Sequence, residues 1–84
     1  MIVEIEDVCL ANVWEESFND KETGQPVNFY RALVTSTGEP PAQFAVSKDN
    51  FETLAGQVGT VGTATISIDA QPGRRVRVSL VRID

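Results

Sequence analysis

Apolar residues return at every second position along most of this chain and at helical spacing in one short window only, which restricts the fold to strands plus a single helix. Ala42, Phe44 and Val46 alternate with Gln43, Ala45 and Ser47. The same alternation sets Ala64, Ile66 and Ile68 against Thr63, Thr65 and Ser67, and sets Val76, Val78 and Leu80 against Arg75, Arg77 and Ser79. A period of two sends successive side chains to opposite faces of a sheet, so each run is read with one face buried and one wet. The chain has 84 residues, and a domain of that size buries only roughly 60 to 65% of its unfolded surface. One sheet closed on itself, a single domain over residues 1–84, is the expected solution.

The elements follow in order. Residues 1–14, with Ile2, Val3, Ile5, Val8, Leu10 and Val13, read as a long first strand containing a bulge. The polar run EESFNDKETGQP reads as a projecting hairpin loop, because Gly24 and Pro26 turn the chain. VNFYRALVT (27–35) is strand two, STGEPP is a turn, and residues 42–46 are strand three. Phe51, Leu54, Ala55 and Val58 then fall at i, i+3, i+4 and i+7, one stripe of a short helix. Asp49 is the expected N-cap with Glu52 completing a capping box, and Gly56 or Gly59 the left-handed stop. Residues 63–69 are strand four, AQPG is a turn, and RRVRVSLVRI (74–83) is strand five. In that last run Val81 and Ile83 move to the side where the arginines stood, which calls for a bulge or a second buried contact such as a subunit interface. The result is an all-β protein, a small five-stranded OB-like barrel with one short helix between strands 3 and 4.

Charge is distributed unevenly. The net charge is −5, yet Arg74, Arg75, Arg77 and Arg82 crowd the C-terminal end while residues 1–22 hold Lys21 as their one base among seven acids. An enzyme reading lacks parts: there is no histidine, Cys9 is the only cysteine, and no phosphate loop or dinucleotide fingerprint occurs. Acidic neighbours such as Glu15 and Glu16 are read as solvated charges, since unpaired acids are rarely buried. A lone cysteine forms no internal disulfide, and the acids are not gathered at metal-ligand spacing. Neither cofactor nor metal is expected. Acids stand where a signal peptide needs bases, and no apolar run reaches membrane-spanning length, so a cytoplasmic location with no membrane partner is expected.

Binding remains, and single strands of nucleic acid need aromatic faces for bases beside cations for phosphates. The candidates in strand two are Phe29, Tyr30 and Arg31, joined by Arg74, Arg75 and Arg77 near the C-terminus. Phe29 and Tyr30 are adjacent and point to opposite faces, so one of them is core and the other exposed. If Tyr30 packs inward with Ala32 and Val34, Phe29 and Arg31 form an outward stacking and phosphate pair; the reverse leaves Tyr30 outward without Arg31 beside it. Phe44 and Phe51 lie on apolar stripes and are assigned to the core, whereas Trp14 fits either side.

The stretch TGQPVNFYRALVTSTGEPPAQFAVSKDN resembles the single-stranded DNA-binding, helix-destabilising proteins of filamentous phages. Gly24 and Pro26 hold the positions of their turn before strand two, Ser36 to Pro41 those of their short hairpin, and Gly62 to Asp84 those of their closing pair of strands. The resemblance covers residues 20–84. It implies a DNA-replication protein of a phage or mobile element, a partner that is single-stranded DNA or RNA, and a homodimer formed through the C-terminal hairpin. In that family the first loop is a wing that holds DNA; here the loop offers Phe18 and Lys21 among Glu15, Glu16, Asp20 and Glu22. The alternative is an acidic protein-interaction module on the same barrel, imitating nucleic acid through that loop.

Overall fold

The computed structural model describes all residues from Met1 to Asp84. Five strands and one helix follow in the order β1 (Ile2–Asn19), β2 (Pro26–Ser36), β3 (Glu39–Val46), α1 (Lys48–Ala55), β4 (Val61–Asp69) and β5 (Arg77–Ile83). The strands close into a barrel in the spatial order β1-β2-β3-β5-β4, which is an OB-like arrangement.

The long first strand makes closure possible by serving two neighbours. Its first part pairs antiparallel with β4, from Ile2 opposite Ser67 to Cys9 opposite Val61. Its second part pairs with β2, from Cys9 opposite Thr35 to Asn19 opposite Pro26. The change of partner is accompanied by a register shift between Ile5 and Val8, where Asp7 adopts φ 58°. Aspartate tolerates that left-handed conformation better than most residues, and an extra residue there bends the strand as a barrel requires. The chain therefore crosses from one side of the barrel to the other without a loop.

Ten apolar residues make the core. β1 supplies Val8 and Leu10, β2 supplies Ala32 and Val34, β3 supplies Val46, and the remaining strands supply Ala64, Ile66, Leu80 and Ile83. Leu54 of α1 is fully buried among them, and the half-buried Tyr30 and Phe51 pack against this core as a tilted pair with ring centroids 4.3 Å apart. β5 carries the expected bulge: Arg82 lies opposite Thr65 and Leu80 opposite Ile66, which leaves Val81 without a partner. That insertion turns both Leu80 and Ile83 inward, each with no exposed surface. Gly62 is required by packing, since a Cβ there would run into the backbone of Asp84. The same contact lets Thr63 and Asp84 exchange two N–H···O bonds of 2.9 Å.

Several boundaries differ from the sequence reading. β1 continues to Asn19, so residues 15–19 are paired strand and the connecting turn is only 20–25. The N-cap of α1 is Ser47, with no side-chain cap bond, and Asp49 lies inside the first turn. A capping box therefore does not form, because the helix starts earlier than the apolar stripe that defines it. Gly56 is right-handed (φ −75°); Gly59, with φ 95°, is the left-handed residue, three positions later. β5 begins at Arg77 and not at Arg74, because Gly73 (φ 77°) keeps the chain turning, and Val76 is 61% exposed outside the core. Phe44 and Phe51 pack against the core but are only partly buried, and Cys9 is half-buried. No helix is long and apolar enough to cross a membrane.

Candidate nucleic-acid interface

Strand register assembles the outer face of the barrel one row at a time. Trp14 lies opposite Arg31, Arg31 opposite Ala45, Ala45 opposite Ser79, and Ser79 opposite Ser67. Residues two positions away share this face, which adds Glu16, Phe18 and Phe29 on the β1–β2 side and Gln43 and Arg77 on the other.

On the β1–β2 side these side chains form a connected chain of contacts. The Trp14 Nε1–H donates to Glu16 Oε1 at 2.8 Å. Glu16 Oε2 stands 3.7 Å from Arg31 Nε, an ion pair in which both side chains keep about two-fifths of their surface exposed (44% and 40%). The Arg31 guanidinium lies over Phe29, 5.2 Å from the ring centroid, and Phe29 meets Phe18 at 5.6 Å in a tilted pair. Arg31 is thus held over an aromatic ring at cation–π distance, an arrangement in which the negative ring face attracts the cation. Of the two aromatic assignments open in the sequence, Tyr30 packs inward and Phe29 faces out beside Arg31.

On the other side the sheet is split. β3 and β5 run parallel and meet at the single pair Ala45 and Ser79. Pro40 and Pro41 lie in the unpaired part of β3, where a missing N–H is tolerated and continued pairing is blocked. The split opens into a cleft of about 640 Å³ that contains Arg31, Gln43, Arg74, Arg75 and Arg77. A second cleft of about 480 Å³ lies toward the β1–β2 ribbon and contains Phe29, Tyr30, Lys48 and Ser79. Arg31, Ala45 and Arg77 belong to both, so the two form one trough across β2, β3 and β5.

No family model, curated protein or solved structure matches this chain. Its candidate site is therefore defined by its own geometry.

The trough brings Phe29, Arg31, Arg74, Arg75 and Arg77 together, with Tyr30 forming part of its floor. Arg74 and Arg75 contribute from the loop before β5, not from the strand itself. Phe18 stays outside the trough but touches it through Phe29. Lys21 does not join it; this residue sits in the turn 20–25, next to Asp20 and Glu22. Three participants escaped the sequence reading of the site. Lys48, the first residue of α1, is brought in because β3 ends beside it. Gln43, two positions from Arg31's partner Ala45, shares the outward face with Arg31 by register. Glu16 was read as a solvated acid, although its i+2 spacing from Trp14 places both on one strand face.

Proposed function

We propose that this chain is a non-enzymatic single-stranded DNA-binding protein of a phage or mobile element, acting in the cytoplasm in DNA replication. One observation carries the reading. Five of its seven basic residues, Arg31, Lys48, Arg74, Arg75 and Arg77, line the two joined clefts, and Asp69 is the only one of twelve acids that does. In a protein of net charge −5 this separation makes a local positive field where the average charge would give a negative one. Phe29 supplies a partly exposed ring for a base, and the guanidinium on it offers a second flat surface with donors at its edge for a phosphate. The phosphate contacts are sequence-independent and the stacking tolerates any base, as a protein that coats single strands requires.

Fluorescence anisotropy of a labelled oligothymidine tests the reading. Saturable binding is expected at low salt, and affinity should fall with salt. Five phosphate contacts at about 0.7 each give a limiting log–log slope near −3.5. Failure to bind at low salt would reject the proposal and leave the acidic β1–β2 ribbon, docking on a basic protein, as the reading to pursue.

A further inference from the structure

Glu16 is out of place on a surface that holds phosphates. A carboxylate beside a backbone phosphate is repelled, yet this one lies on the outer face between Trp14 and Arg31, two residues whose chemistry favours a nucleotide. It is also not fully satisfied. Oε1 accepts one bond from Trp14, Oε2 is held only by a 3.7 Å ion pair, and a carboxylate has about four acceptor positions. The side chain is 44% exposed, so acceptor capacity faces solvent within a cluster of aromatic planes.

The outer face is consequently divided between the trough and the ribbon beside it. Toward the loop before β5, Arg74, Arg75 and Arg77 offer donors alone and suit phosphates. At its ribbon edge the trough adjoins Phe18, Trp14 and Glu16, which lie outside it and reach it through Phe29 and Arg31, so flat rings stand there beside one fixed acceptor. A base stacked on this side with its Watson–Crick edge toward Glu16 would meet that acceptor. Guanine places an N1–H and an exocyclic N2–H side by side, matching the two oxygens of a carboxylate. Cytosine and adenine each offer one amino group. Thymine sets its single N3–H between two carbonyl oxygens, which the carboxylate repels.

We infer that Glu16 is a base-reading residue that makes the ribbon edge beside the trough prefer guanine over thymine within single-stranded DNA. This rests on the nucleic-acid reading given above. It adds a selectivity that stacking and phosphate contacts do not supply.

Anisotropy with three labelled oligonucleotides separates the two: oligothymidine, the same chain with one central guanine, and the same chain with hypoxanthine there, which keeps N1–H and lacks the amino group. Guanine is expected to bind about fivefold or more tighter than thymine, the lower end for a bidentate base contact, with hypoxanthine between them. Glu16→Gln should bring the three together while oligothymidine is still bound, which also shows that the variant is folded. Equal affinities in the unaltered protein would overturn the inference and leave the DNA-binding proposal standing. A guanine preference that survives Glu16→Gln would overturn the assignment to this residue, and no binding of any of the three would overturn both.

Discussion

The barrel body and the β1–β2 ribbon are built from the same alternating strands and put them to opposite uses. All ten core residues lie in the body, and none comes from between Leu10 and Ala32. The ribbon, whose ladder runs from Trp14 opposite Arg31 to Asn19 opposite Pro26, is held by backbone pairing and by side chains that remain half or fully exposed. The trough lies where the two regions meet, with Arg31 and Phe29 on β2 at the root of the ribbon. Stability and recognition are thus largely separated in the chain: of the ten core residues only Val46 also lines the trough, and the cations that face the trough lie outside the core.

The sharpest test of that division is thermodynamic. Leu80 has no exposed surface, and its truncation to alanine should cost about 2 to 5 kcal/mol by loss of burial and creation of a cavity. Phe18 is 54% exposed on the ribbon, and Phe18→Ala should cost about 1 kcal/mol or less, chiefly its contact with Phe29. Urea unfolding of both variants measures the difference. Comparable losses would show that the ribbon is part of the cooperative unit and that the division is false.

Binding should reverse the ranking. Arg31→Ala with Arg77→Ala removes the two cations common to both clefts, and oligothymidine affinity at low salt should drop roughly tenfold or more, with the salt slope shallower by about 1.4. Thermal unfolding should change little, because Arg77 is exposed and the Arg31–Glu16 pair is itself solvated. If affinity and slope stayed as in the unaltered protein, the cations of the trough would not be where the strand lies.

How much of this was legible in the sequence follows from the same separation. The barrel body was readable because each of its strands carries a local signal: Ala64 and Ile66 alternate with polar residues, and Leu54 falls on a helical stripe. The shift of Val81 and Ile83 pointed to a bulge or a second buried contact, and the structure has the bulge, since the register with β4 shifts between Thr65 and Ile66. The ribbon was not readable as strand. Residues 15–19 lack apolar alternation, and what holds them is a ladder to Pro26 and its neighbours on β2. The helix start was misplaced for a related reason: the stripe reports which face is buried, whereas Ser47 begins the helix through backbone geometry alone. The site was legible as a set of residue types near Arg31 and Arg77, but its membership depended on register. Lys48 enters because β3 ends beside the cleft, and Glu16 meets Arg31 through the β1–β2 register, neither of which a local pattern specifies.

Lys21 gives the smallest predicted effect and marks the boundary of the recognition surface. It is the one base in the ribbon turn, where it stands between Asp20 and Glu22. That turn is closed by bonds that do not involve its side chain: Asp20 Oδ1 accepts from the Glu22 N–H at 2.8 Å, and the Gly24 N–H donates to the Asp20 carbonyl at 2.7 Å. Its charge is offset by acidic neighbours on both sides, and exposed charges of this kind contribute little. Lys21→Ala should therefore change oligothymidine affinity by less than about twofold and leave the salt slope unaltered within about half a unit. A loss as large as that of the Arg31 and Arg77 double variant would mean that the strand runs out along the ribbon to its tip. The acids around Lys21 would then have to be accommodated beside phosphates, and the division between an acidic ribbon end and a basic trough would no longer describe how the surface works.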